Sequence, residues 1–213
     1  MSDANQLTLK KASIAAAIPF PPISWWLEAM KSEFVILDKK EPFQKMSYRN
    51  RYYLAGKQGK MLLSIPLSKG RGQHLPMEDV KISYAENWQK NHWKSIQSLL
   101  GNTPFFEYLD YQIQPFFEKE ISSLFEWNKS SIVWANDFLG NPIQILESDH
   151  ETNTDDLIDL RAIIHPKSNS TAVDIFYNQV FQPDIGFIAD CSILDLICCE
   201  GKNAINILKM TNS

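Results

Sequence analysis

Cysteine is scarce in this chain. Cys191, Cys198 and Cys199 are the only three in 213 residues, and none forms a CxxC pair. That set supports neither a disulfide framework nor a zinc ribbon, so a reducing cytoplasm is the expected location. No apolar run reaches the ~20 residues needed to span a bilayer. The run Ala12–Ile18 behind Lys10 and Lys11 imitates a secretion signal, but Pro19, Pro21 and Pro22 cut it short. Basic surplus is also missing: the net charge of −4 argues against general nucleic-acid binding. The phosphate-cradling GxxxxGK[ST], the G-x-S-x-G elbow and the zinc-binding H-E-x-x-H are absent, as are repeats and heptads. Gly70-Arg71-Gly72 has the spacing of a G-x-G but lacks the third glycine and the strand-to-helix setting of a dinucleotide site. No Ser/His/Asp order stands out. What remains for an enzyme is transfer by positioning, with general acid–base help.

What the chain does have is core material. Hydrophobic residues make up 44% and aromatics 12%, enough for one large α/β (α+β) unit over residues 1–213. Residues 1–85 read as mainly β-containing, 86–140 as helical and 141–213 as mixed. Ser13–Ile18 and Phe34–Leu37 are short buried strands, and Ile23–Lys31 between them has helical spacing of Ile23, Trp26, Leu27 and Met30. This is a βαβ start, and ligands of such units gather at the carboxyl ends of the strands, here Pro19-Phe20 and Asp38-Lys39. Arg51–Ala55 and Met61–Leu67 around Gly56-Lys57-Gln58-Gly59 form a β-hairpin. Val80–Ile82 is another strand. Ser83 and Glu86 have capping-box spacing ahead of a helix over 86–100, whose apolar face holds Trp88, Trp93, Ile96, Leu99 and Leu100. His92 lies within that face. Thr103-Pro104 opens a further helical region, Pro115 interrupts it, and a helix from about Lys129 ends at Gly140. Ile143–Leu146 and Leu160–Pro166 are the remaining strands. Ser192 and Asp195 cap a last helix that stops at Gly201. The cysteines read as small core hydrophobes rather than nucleophiles.

Two loops carry charge. Lys69–His74 is basic, with glycines and donors that suit either closure over an anion or plain solvation. Ser148–Asp159, with Glu147, is acidic and is where a metal would be sought. It lacks EF-hand spacing, so no metal site is assigned. His165 has no partner at ligand spacing.

The densest polar stretch is Phe43-Gln44-Lys45-Met46-Ser47-Tyr48-Arg49-Asn50-Arg51, placed at the entrance of the hairpin. Two arginines flanking an asparagine suit planar anion recognition, because guanidinium forks match carboxylate and phosphate oxygens. A local basic patch in an acidic protein suits a small anion better than a polyanion.

Gln44–Arg51, followed by Leu62-Leu63-Ser64-Ile65-Pro66, resembles the WbqC-like protein family in its Bacteroidetes-type form. Asn87–Trp93 with Thr103–Tyr108, Tyr177–Phe181, and Ser192–Leu196 with Glu200-Gly201 extend the likeness along nearly the whole chain. Other branches carry His-Gln-Pro near the end of the first strand, where this chain reads Ala17-Ile18-Pro19, so no adenylation is implied. The resemblance implies a transferase of surface-polysaccharide (O-antigen-type) biosynthesis, acting on a nucleotide-linked amino sugar with an acyl or aminoacyl donor. Lys45, Arg49 and Arg51 would then hold the diphosphate. Gln44, Tyr48 and Asn50 would read sugar hydroxyls or the acyl amide, and Trp88 is counted with these substrate-binding residues. His92, with Asp38 orienting a donor, would move the proton, with His74 as the alternate. No cofactor is named. Two other readings compete. In one the chain is a non-catalytic partner or homo-oligomer whose Trp25, Trp26, Tyr52, Tyr53, Trp127 and Trp134 form an interface. In the other the polar stretch only knits the fold together.

Overall fold

The structure is a computed structural model that describes residues 12–68, 74–148, 157–162, 164 and 175–210. The basic loop up to Gln73, most of the acidic stretch and His165 lie outside the described residues. In chain order the elements are β1 (Ala12–Ala15), α1 (Ile23–Ala29), β2 (Phe34–Leu37), β3 (Arg51–Gly56), β4 (Gly59–Ser64), α2 (Trp88–Leu100), α3 (Asp110–Ile113), α4 (Leu124–Phe138), β5 (Gln144–Glu147), β6 (Ile158–Asp159), α5 (Gln182–Ile185), α6 (Ile193–Glu200) and α7 (Ala204–Met210).

The class is α/β, and the strands divide between two sheets. One is all parallel, in the order β5-β2-β1-β6; the other is the antiparallel pair β3-β4. β1 and β2 are apolar and largely buried because they are the inner strands, with edges β5 and β6 shielding them. Register runs Ala12 to Phe34 through Ala15 to Leu37, the adjacent parallel pairing that a short crossover helix dictates. In the hairpin Gly56 pairs with Gly59, leaving the two-residue turn Lys57-Gln58. Gly59 has φ +104°, a backbone state that favours glycine, and a Cβ on Gly56 would meet Leu99 of α2 at 3.3 Å.

The core is aromatic and centres on Phe20. Its ring meets Tyr52 at 5.5 Å, Phe116 at 5.2 Å, Phe117 at 6.3 Å, Trp127 at 5.5 Å and Trp134 at 6.0 Å. Phe20 holds φ at +36°, and it is pinned there from both sides. Its N–H donates to Ser131 Oγ at 2.9 Å, and its carbonyl accepts from Ser192 Oγ at 2.9 Å. Trp25, Trp26, Tyr52 and Trp127 are buried in this core, which corrects their expected place at an interface.

Local expectations fail where side chains find distant partners. Val80–Ile82 is not a strand: it makes single bridges, Leu67 to Ile82 on one side and Lys81 to Ser123 on the other. The box at Ser83 does not form, and α2 begins at Trp88 after Asn87. Tyr84 draws that segment away, because its hydroxyl donates to the Ile121 carbonyl and accepts the Ile121 N–H. Thr103 Oγ donates to the Leu100 carbonyl instead of capping a helix. α4 starts at Leu124, five residues before the expected Lys129, under a true Ser123 cap. The last parallel strand is Ile158–Asp159, ahead of the expected span.

Candidate functional site

Three parallel strands end close together in charged groups, and these groups are already paired. Asp38, after β2, accepts the backbone N–H of Lys40 at 2.9 Å and of Glu41 at 3.1 Å. It also accepts Ser148 Oγ at 3.2 Å, and its other oxygen pairs with Arg161 at 2.5 Å. Arg161 in turn forks onto Asp159 at 2.9 and 2.7 Å, and that fork holds the Asp159 carboxyl below its usual range. A small cavity of about 210 Å³ opens beside them, lined by Glu41, Gln44, Asp159 and Arg161. Asp38 therefore serves as the cap of a turn and the anchor of Arg161. It does not orient a proton donor, and His92 is not among its partners.

The Phe43–Arg51 stretch divides between three environments. Ser47 caps a single 3-10 turn over Tyr48–Asn50, and this turn directs consecutive side chains to different sides. Tyr48 and Arg49 go inward. Arg49 is 1% exposed and Glu41 4%; its Nε donates at 3.0 Å and its Nη at 2.5 Å to the two carboxylate oxygens. Burial pushes the Glu41 carboxyl up, and the fork of Arg49 opposes that shift. Two donors of the guanidinium are thus spent on a protein carboxylate and the side chain is closed to solvent, which corrects the expectation that Arg49 holds a diphosphate. Tyr48 packs edge-on to Tyr53 at 5.8 Å, with its phenol pushed up by burial, so it does not face a sugar.

Gln44 points to the small cavity beside Arg161. Lys45, Asn50 and Arg51 converge on a separate groove of about 340 Å³, with Met46, Ile65 and Pro66 among its apolar walls. None of its lining residues is acidic. Asn50 donates to the Ile65 carbonyl at 2.9 Å and so fixes the groove's floor to the hairpin. Arg51 Nε is buried and has no hydrogen-bond acceptor among the described residues. A desolvated donor without a partner is costly.

His92 and Trp88 lie behind the hairpin rather than in the groove. His92 is 5% exposed; Tyr52 Oη sits 3.0 Å from its Nδ1, and the ring also faces the Ser64 carbonyl. Burial lowers its pKa to about 4. Trp88 is buried against His92, Phe117 and Trp127, with centroids at 5.0, 6.5 and 6.1 Å. Neither can touch a ligand without unpacking the core, so both expected roles are corrected to packing. His74 is exposed, and it adjoins Leu75, whose carbonyl accepts the N–H of the groove residue Phe43.

His92 has a measurable signature. It stays neutral in the fold down to about pH 4, while in the unfolded chain it gains a proton below about pH 6.5. The unfolded state then binds more protons, so stability is full above pH 6.5 and falls as pH drops toward 4. Between pH 7 and 5 this amounts to about 2 kcal/mol. Urea unfolding of wild type and His92→Gln at both pH values measures it: the variant should show the smaller pH dependence, and equal dependences would refute the assignment.

Sequence reading missed the polar residues of α4. Asn128 Nδ2 donates to the Ala17 and Arg49 carbonyls, both at 2.8 Å, and Ser131 holds Phe20. Their signal was an i, i+3 polar pair interrupting an apolar helix face. It missed Glu41 and Arg161 because nothing local marks a partner found across the fold. The capping form at Ser192 holds only in part. Ser192 Oγ accepts the Leu194 N–H, but Asp195 turns inward to accept from Tyr177 Oη at 2.6 Å and Gln179 Nε2 at 2.9 Å.

Among the described residues no group of three or more His, Cys, Asp or Glu could hold a metal, and no helix is long and apolar enough to cross a membrane. All three cysteines are free and buried, with thiols pushed up by burial. The model of the WbqC-like protein family matches residues 20–167, more than half of the chain. No curated protein and no solved structure matches.

Proposed function

The chain belongs to the WbqC-like protein family, and we propose that it is a cytoplasmic transferase of surface-polysaccharide biosynthesis. Its substrate is a nucleotide-linked amino sugar, and its second reactant an acyl or aminoacyl donor. The single observation that carries this reading is the groove on which Lys45, Asn50 and Arg51 converge, where Arg51 Nε has no acceptor among the described residues. Lys45 and Arg51 hold the diphosphate, Arg51 by its fork and Lys45 as a point charge. Asn50 stands beside them to read a hydroxyl or amide, and Gln44 contacts the part of the ligand that extends toward Arg161. The amine of the sugar attacks the acyl carbonyl, the donor's leaving group departs with the bonding pair, and His74 accepts the amine proton.

The test is binding. Arg51→Ala should weaken a nucleotide amino sugar about tenfold to a hundredfold, the worth of a lost charged hydrogen bond. Thermal-shift and calorimetric titrations measure this, and unchanged affinity would overturn the reading. A second reading, a non-catalytic partner of glycan enzymes, draws on exposed aromatics: Tyr108, Tyr111 and Phe176 are 67%, 68% and 72% exposed. A dimer that binds no nucleotide sugar would favour it.

A further inference from the structure

The hairpin has a second cavity at its other end. It occupies about 560 Å³ between the Lys57-Gln58 turn, the C-terminal end of α2 and Phe181. That volume lies in the ~300–1,000 Å³ range of small-molecule sites. The six-residue strand β3 separates it from the Arg51 groove by about 17 Å, so the two are different places on one hairpin.

Its chemistry is cationic on one side and apolar on the other. Lys57 and Lys60 line it, none of its lining residues is acidic, and the whole protein carries a net charge of −4. Lys60 Nζ donates to the Asp190 carbonyl at 3.0 Å, which spends one of its three N–H donors. Lys57 Nζ stands 5.9 Å from the centroid of the Phe181 ring. No ion pair involves either lysine among the described residues. Ser98 of α2 and Asn102 in the turn after it add polar groups, while Leu99, Met61 and Phe181 form the apolar wall.

The turn is shaped to leave this room. A Cβ on Gly56 would press on Gly59 O and Leu99 Cδ2, both at 3.3 Å, so glycine lets the hairpin tip close onto α2. Gly59, with φ +104°, would project a Cβ into open space. A side chain there would strain the backbone.

We propose that this cavity is a second binding site, for a small molecule that joins a phosphate or pyrophosphate to an apolar or aromatic group. Lys57 and Lys60 take the phosphate, Asn102 and Ser98 bond to hydroxyls or amides, and the Phe181 wall receives the apolar part. A nucleotide and a phosphopantetheine-bearing coenzyme share this chemistry. The site does not depend on the role given to the Arg51 groove.

Methionine methyl groups report on both places in one sample, because Met61 lines this cavity and Met46 lines the other groove. The full chain labelled with 13C-methyl methionine, its signals assigned with Met61→Leu and Met46→Leu, is titrated to millimolar levels. The probes are pyrophosphate, adenosine diphosphate, uridine diphosphate and coenzyme A. At least one organic phosphate should shift the Met61 signal saturably, and Lys57→Ala/Lys60→Ala should weaken that binding at least tenfold. Arg51→Ala should leave the Met61 shift intact, so failure at one place is told apart from failure at the other. Preference for a nucleotide or for coenzyme A identifies the source of the phosphate. A silent Met61 signal with every probe, or a shift unchanged by the double lysine replacement, overturns the proposal.

Discussion

Arg49→Ala should lower the stability of this protein by about 3–5 kcal/mol, a melting-temperature drop of about 6–20 °C. The size comes from what the substitution leaves behind. Glu41 is 4% exposed, and Arg49 supplies its only fork of charged hydrogen bonds among the described residues. Without it a carboxylate stays buried beside Asp38, or takes up a proton, and either outcome costs stability. Asn128 bonds the backbone carbonyl of Arg49, which alanine keeps, so the loss is confined to the ion pair. Replacing both partners by apolar residues of similar size, as in Arg49→Met/Glu41→Leu, removes the stranded charge and should recover most of the loss. The pair's part in binding is read from the same proteins. The double variant should bind ligand in the Arg51 groove as wild type does, since Arg49 is closed to solvent. If the double variant folded well yet lost binding, Arg49 would belong to the site after all.

Phe20→Ala should cost a similar amount, about 3–5 kcal/mol, by emptying the centre of the aromatic core. Five rings lose an edge or face contact at once, and they come from the hairpin, from α4 and from the segment after α3. The residue's φ of +36° adds a second consideration. Alanine keeps that strain, whereas glycine relieves it, so Phe20→Gly should lose no more than Phe20→Ala despite its smaller side chain. Guanidinium denaturation of the two variants measures the difference. A loss near 1 kcal/mol for Phe20→Ala would mean that the surrounding rings collapse into the space.

Much of the framework was legible from pattern. Phe34–Leu37, the Ile23 helix, the hairpin about Gly56 and Gly59, and the stop at Gly140 were readable because local chemistry sets each of them. They rest on apolar runs, helical spacing, a two-residue turn and a left-handed glycine. Ser83 and Glu86 misled for the opposite reason: a capping box is worth about 1 kcal/mol, and the paired hydrogen bonds of Tyr84 to Ile121 outweigh it. The candidate site was half legible. Lys45, Asn50 and Arg51 meet as their density in sequence suggested. Arg49, Tyr48, His92 and Trp88 do not join them, because a polar stretch says nothing of which side chains turn inward.

The sequence by itself determined the α/β class, the parallel start, the hairpin and the family, since periodicity, turn chemistry and motif order are local properties. Only the tertiary structure decided the fate of the charges. Arg49 faces Glu41 eight residues away, and Arg161 reaches Asp38 across 123 positions. A buried charge must find its counter-ion wherever the packed chain brings one, and that choice leaves Lys45 and Arg51 as the cations of the groove.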